Sequence, residues 1–241
     1  MKTVLIVFAL VVLALVLPVF MAPKTLPEGF DRNLPWQITL DAAGNSAVFG
    51  LTPGQSRLAD ARALFGGDFD VAVIAASNQV GALEVDYAQR SFGMLLARLI
   101  LTLEATPEEI DAMRERALKR EYKEGSTKKF TLHPDDRARA EDAVIRAISL
   151  IPNARLDEET ITRLFGKAAE TLPEGKTLTH YLYPDKGLDI VIDEKGRDIL
   201  QYVAPGDFDA RIRAPLEQAP SAPDARREDA RQDTGQSRNL C

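Results

Sequence analysis

Histidines are the first side chains to consider for chemistry, and this chain has only two, His133 and His180. His133 precedes Pro134 at a predicted helix start, where it can cap the helix. His180 alternates with Tyr181 along a predicted strand and therefore faces away from that tyrosine. A histidine-based metal site needs further ligands at close spacing, and none stands near either histidine. We therefore predict no metal site.

Paired carboxylates are a second possible source of chemistry, as in Glu84 with Asp86 and Asp189 with Asp193. Glycoside hydrolysis uses two such groups, one as acid and one as base or nucleophile. With 36 acidic residues in the chain, however, chance pairs are expected. The sequence also has no Gly-x-Ser-x-Gly motif and no glycine loop placed to cradle phosphate. We predict no catalytic residue and no cofactor, and keep a carboxylate-pair hydrolase as the alternative.

Three strand tyrosines, Tyr181, Tyr183 and Tyr202, could contact a partner protein. Aromatic side chains on a half-exposed sheet often do so. Packing against the helices is the competing interpretation. We predict these three residues as partner-binding positions.

The elements that must position these residues fall into two similar units. In the first, residues 36–49 predict a hairpin, and a helix with Ser56 as its N-cap and Gly66 as its stop precedes three strands. Residues 71–76, 82–89 and 94–105 carry the strand patterns. Thr106 and Glu109 then form a capping box that opens a helix predicted to reach residue 122.

In the second unit, a leading helix is predicted over residues 134–151. Asp157 caps a short helix that Gly166 stops. Strands over residues 179–183, 188–193 and 198–204 follow as an antiparallel meander. The two units share an order of elements, and Leu-Phe-Gly ends the short helix in both.

The two ends of the chain have contrasting compositions. Residues 4–22 are almost entirely apolar and long enough to cross a bilayer. An uncleaved signal anchor is favoured over a cleaved signal peptide, because bulky Phe20 and Pro23 flank the possible cut after Ala22, and over a buried helix, because no polar face interrupts the run. Lys2 and the short segment before the apolar run resemble the basic start of a secretory signal. This favours translocation of the soluble part of the chain across the membrane. Residues 215–241 contain few large apolar side chains, which predicts disorder.

One stretch resembles a known family. The run Phe49-Gly50-Leu51-Thr52-Pro53-Gly54-Gln55-Ser56, continued through Leu64-Phe65-Gly66 into three strands, resembles the SmpA/OmlA (BamE-like) module. Residues 156–205 resemble the same helix-plus-meander pattern, and a tandem of such units is similar in layout to beta-lactamase inhibitory proteins. The resemblance implies paired helices before a three-stranded antiparallel sheet and supplies no catalytic residue. The lipidated N-terminal cysteine of BamE-like proteins has no counterpart, because the one cysteine is Cys241.

Together these patterns predict an α+β fold in which two helix-plus-three-stranded antiparallel meander modules follow an N-terminal transmembrane helix. The predicted boundaries are a signal anchor at 1–23, a linker at 24–35, a BamE-like module at 36–122, a second module at 123–205 and a disordered tail at 206–241. We expect a non-enzymatic protein-binding or assembly protein of the bacterial inner membrane, with its body in the periplasm and an envelope protein as partner.

The charge of the chain disfavours one class of partner, and a third function stays open. The formal net charge of −6 and pI of about 5.1 disfavour nucleic-acid binding, which needs a basic surface. A self-associating scaffold that uses Cys241 or the anchor is the third possibility.

Overall fold

The computed structural model describes residues 33–77, 79–123 and 126–218, and strands are the most common regular element in it. The strands are β1 (Thr39–Leu40), β2 (Ser46–Ala47), β3 (Asp70–Ala75), β4 (Ala82–Phe92), β5 (Leu95–Leu103), β6 (Lys119–Tyr122), β7 (Lys128–Thr131), β8 (Ile145–Pro152), β9 (Glu170–Glu174), β10 (Leu178–Tyr183), β11 (Leu188–Asp193) and β12 (Ile199–Val203). The α-helices are α1 (Leu58–Phe65), α2 (Pro107–Glu115), α3 (Pro134–Ala140), α4 (Glu158–Phe165) and α5 (Ala214–Gln218).

Ten of these described strands form one antiparallel sheet in the order β6-β7-β3-β4-β5-β8-β12-β11-β10-β9. Strand side chains alternate between the two faces of a sheet. On one face Val85, Leu101, Ile148 and Tyr202, with other buried residues of both halves, form a single cluster with the inner sides of α1 to α4. Both halves of the sheet therefore share one core.

The predicted fold of two helix-plus-three-stranded meander modules is wrong, because ten strands form one sheet. Strand β8 pairs with β5 on one side and with β12 on the other, so it joins the two meanders into one sheet. This segment was predicted as the end of a long helix. The second half also contains a fourth strand, β9, which the sequence analysis missed.

The two long predicted helices are shorter than expected. Helix α2 ends at Glu115 instead of residue 122, and α3 ends at Ala140 instead of residue 151. In each case later residues form a strand that pairs in the sheet. Strand β8 is buried between two neighbouring strands, and this burial outweighs its helix-compatible apolar spacing. Strand β6 is a mostly exposed edge strand that pairs with β7. The predicted helix ends at Gly66 and Gly166 are confirmed, with φ of +83° and +84°.

The second face of the sheet is covered unevenly. At β10 and β12, Leu182 and Val203 pack under Phe208 and Ile212 of the segment after β12. This segment runs through a 3₁₀ turn, a π-helical turn and α5 over residues 205–218. We call the part of this face on β3, β4 and β5 the open face.

No helix among the described residues is long and apolar enough to cross a membrane. The predicted anchor at residues 1–23 lies outside those residues, as does most of the predicted linker. The described residues belong to one compact unit. Of the predicted tail, residues 206–218 are structured, and the part from residue 219 lies outside the described residues.

Candidate functional site

The open face carries charged side chains where the opposite face carries core residues. On β4, Leu83, Val85 and Tyr87 are buried in the core, so Glu84 and Asp86 project from the other side. The clean alternation along this strand predicts that arrangement, and the structure confirms it. The sequence pattern thus placed two carboxylates on one sheet surface.

Two ion pairs fix the charged groups around Glu84. Arg98 on β5 binds Asp86 through both ends of its guanidinium, with Nε to Oδ1 at 2.8 Å and Nη2 to Oδ2 at 2.6 Å. Lys129 on β7 pairs with Asp70 on β3. Asp70 and Asp86 are direct cross-strand partners, and the two cations offset the repulsion between their carboxylates.

Glu84 differs from its neighbours because no hydrogen bond or ion pair joins its carboxyl group to another described residue. Burial raises the pKa of Glu84, the charge of Arg98 lowers it in part, and the charge of Asp86 raises it further. A half-buried carboxyl group without a donor is costly to ionise. Such a group is available to a ligand that brings a donor or a cation.

These residues line a cavity of ≈490 Å³ on the open face. Its wall is completed by Ala72 and Ile74 from β3 and by Lys123 and Thr127 beside the β6–β7 hairpin. The volume falls within the range of small-ligand pockets. The cavity is therefore large enough for a side chain or a short segment of a partner.

A second cavity of ≈450 Å³ lies between α2 and α3. Its prominent contact joins Arg116 to Asp136, with Nε to Oδ2 at 3.2 Å and Nη2 to Oδ1 at 2.5 Å. The Asp136 side chain is 1% exposed, whereas that of Arg116 is 49% exposed. Because its main charges already satisfy each other, this cavity is a weaker candidate site.

The three predicted partner-binding tyrosines lie on the core side of the sheet. Tyr202 is 1% exposed and donates to the Pro35 carbonyl oxygen at 3.0 Å. Tyr183 is 5% exposed and donates to the Gly166 carbonyl oxygen at 2.9 Å. Tyr181 is half-buried against the core cluster. Partner contact by these residues stays a prediction, and the burial of Tyr183 and Tyr202 favours packing for those two.

The two histidines have different environments. His133 caps α3 as predicted, its Nδ1 accepting from the backbone N–H of Asp135 at 3.3 Å. His180 is 5% exposed and lies between Asp189 and Glu174. Sequence analysis missed this cluster because its members lie on three strands, and β9 was not predicted. Asp193, which the sequence analysis paired with Asp189, instead accepts a hydrogen bond from the backbone N–H of Lys195 in a turn.

Within the described ranges, no group of three or more histidine, cysteine, aspartate or glutamate side chains could hold a metal ion. No protein-family model, curated protein or solved structure matches the chain. The resemblance to BamE-like modules therefore stays a prediction. Among the described residues, the cavity at Glu84 is the strongest candidate site.

Proposed function

We propose that this chain is a membrane-anchored protein of the bacterial envelope that binds another envelope protein through the open face of its sheet. The observation that carries the proposal is Glu84, whose carboxyl group lies in a cavity between two ion pairs and has no hydrogen-bonding partner among the described residues. A partner segment that inserts a lysine, arginine or hydroxyl group would supply the missing donor. Arg98 and Lys129 would orient the acidic groups around that contact.

The surrounding surface supports a macromolecular partner. Ile74 and Ile100 are half-buried on this face, Arg98 is exposed, and the C-terminal segment packs instead at β10 and β12. A mixed apolar and charged area around a central pocket is typical of a protein-binding surface. The apolar run at residues 4–22 would hold this body at the inner membrane, with the body in the periplasm.

Site-specific photo-crosslinking tests the binding proposal in intact cells. A photo-crosslinking amino acid at Thr102, the cross-strand neighbour of Glu84 on β5, should capture one envelope protein in good yield, whereas the same probe at Glu159, exposed on α4, should not. In a chain probed at Thr102, Glu84→Gln should reduce the capture, because the amide cannot form an ion pair. Equal capture at Thr102 and Glu159, or none at either position, would contradict the proposal.

The carboxylate-pair hydrolase is the second candidate, and one observation favours it. Glu84 and Asp86 project into the same cavity, and burial raises the pKa of Glu84, as a general acid requires. The purified chain would then release reducing sugar ends from cell-wall polysaccharide, or fatty acids from lipid. Activity abolished by Glu84→Gln but retained in Glu159→Gln would support catalysis over simple binding.

A further inference from the structure

A buried imidazole joins three neighbouring strands at one edge of the sheet. The Nδ1 atom of His180 on β10 lies 2.9 Å from Oδ2 of Asp189 on β11, and its Nε2 atom lies 2.9 Å from Oε2 of Glu174 on β9. The His180 and Asp189 side chains are 6% and 2% exposed. Both carboxylates are diagonal cross-strand neighbours of the histidine, so the strand register itself builds the cluster.

The geometry of this cluster requires a proton. An ionised carboxylate only accepts hydrogen bonds, so each ring nitrogen must donate, and a ring that donates twice is an imidazolium. The second oxygen of Asp189, Oδ1, is buried and has no hydrogen-bond partner among the described residues. The positive ring is therefore what compensates the buried negative charge.

Two opposing effects act on His180. Burial lowers its pKa, but the hydrogen bonds and charges of Asp189 and Glu174 outweigh burial, so the pKa is raised above its ordinary value of 6.5. Burial raises the pKa of Asp189, His180 lowers it in part, and Glu174 raises it further. The charged pair is thus favoured at pH 6.5 and below, down to the range in which Asp189 takes up a proton.

Strand β9 is an edge strand that, among the described strands, pairs with β10 alone. Glu174 near its end bonds His180, and Glu170 at its start accepts a 2.8 Å hydrogen bond from Nη1 of Arg213. The segment over residues 205–218 turns apolar side chains toward this part of the sheet. Four of its five charged groups pair among themselves or with Glu170, as Arg213 with Asp209 and Arg211 with Asp207, and the fifth, Glu217, is exposed.

We propose that Glu174, His180 and Asp189 form a proton-operated clasp that holds edge strand β9 on the sheet. Loss of the ring proton leaves one N–H group for two carboxylates. One of the two contacts then places a nitrogen lone pair against an oxygen anion, which is unfavourable in a buried place. Strand β9 separates more readily in this state, and the edge of β10 becomes free to pair with another strand.

The pH dependence follows from the direction of the pKa shift. A histidine with a raised pKa in the closed state stabilises that state fully below its ordinary value of 6.5. Between 6.5 and the raised pKa, the fraction of opened β9 should grow about tenfold per pH unit, because one proton is released on opening. Above the raised pKa, opening should become independent of pH.

Two measurements on the full chain test the clasp. NMR of histidine-labelled protein should give His180 a pKa above 6.5, with His133→Asn used to assign the other ring. Hydrogen exchange, corrected for intrinsic rates, should show that protection of residues 170–183 falls from pH 6.5 upward. The same samples provide residues 82–103 as an internal reference for opening elsewhere in the sheet.

Two substitutions separate the clasp from a merely structural cluster. Glu174→Gln replaces the half-exposed partner and should lower the pKa of His180 with little effect on folding. His180→Gln should remove the pH dependence of β9 exchange while leaving that of residues 82–103 unchanged. The proposal is overturned if His180 titrates at or below 6.5, or if wild-type residues 170–183 and 82–103 lose protection in parallel.

Discussion

The phenol of Tyr183 donates a 2.9 Å hydrogen bond to the carbonyl oxygen of Gly166, the residue that ends α4. The first half of the sheet repeats this arrangement, with Tyr87 donating to the Gly66 carbonyl oxygen at 3.5 Å. In each half, the ring also contacts the phenylalanine just before that glycine. Each tyrosine thus ties the end of a short helix to the second strand of the meander that follows.

Removal of the Tyr183 hydroxyl group should therefore destabilise the fold without disturbing the core shape. Tyr183→Phe is expected to lower the free energy of unfolding by about 1 kcal/mol, the usual contribution of one such hydrogen bond. Tyr181→Phe is the matched control, because the Tyr181 hydroxyl makes no hydrogen bond to a described residue. Urea unfolding midpoints measure both effects, and equal midpoints for the two variants would contradict the assignment.

Local chemistry along the sequence predicted several of these features correctly. Thr106 and Glu109 form the expected capping box, with Thr106 N to Glu109 Oε2 at 2.8 Å and Glu109 N to Thr106 Oγ1 at 3.2 Å. Asp157 accepts from the backbone of Thr160 at 2.7 Å, as an N-cap should. These features depend on contacts between residues at most four positions apart, so the local sequence is enough to predict them.

The errors came from long-range pairing. Ile145, Ile148 and Ile151 recur every three residues, a spacing typical of one face of a helix, whereas a regular strand has a period of two. A bulge in β8 opposite Thr102 and Leu103 accommodates this spacing in the sheet. Pairing with β5 on one side and β12 on the other makes this segment a strand. The His180 cluster was missed for the same reason, since it requires the register of three strands. The position of Glu84 on the open face could be predicted, because alternation along β4 places Glu84 and Val85 on opposite faces of the sheet.

The hydroxyl group of Tyr202 is expected to contribute more to the free energy of unfolding than that of Tyr183. It is fully buried and bonds the Pro35 carbonyl oxygen, which fixes the first described segment to β12. Tyr202→Phe would leave that buried carbonyl without its donor, at a cost of about 1–3 kcal/mol. Thermal or urea unfolding would show the loss. If Tyr202→Phe instead kept full stability but abolished partner capture, the predicted binding role of this residue would be supported.

The contact between Arg116 and Asp136 should be asymmetric when its partners are removed in turn. Arg116→Met leaves a buried carboxylate without a cation, whereas Asp136→Asn leaves a guanidinium that water can reach. We expect Arg116→Met to destabilise the chain more than Asp136→Asn at neutral pH. Lys119→Met, which breaks an exposed 2.9 Å pair with Glu121, should have the smallest effect. The opposite order in unfolding experiments would contradict this view of α2 and α3.

Glu84 provides a prediction in which loss of function and gain of stability coincide. Burial raises its pKa above 4.5, so ionisation favours the unfolded state, and this penalty appears as pH rises from 4.5 through the folded-state pKa. Glu84→Gln removes the penalty and should be more stable than the wild type at pH 7, with the difference vanishing near pH 4. Functional sites often carry such costs, because the group is optimised for a ligand. Urea midpoints from pH 4 to pH 7, with Glu159→Gln as the exposed control, measure the difference. If Glu84→Gln were less stable than the wild type at pH 7, Glu84 would already have a favourable partner within the fold. The main argument for ligand binding at the open face would then be lost.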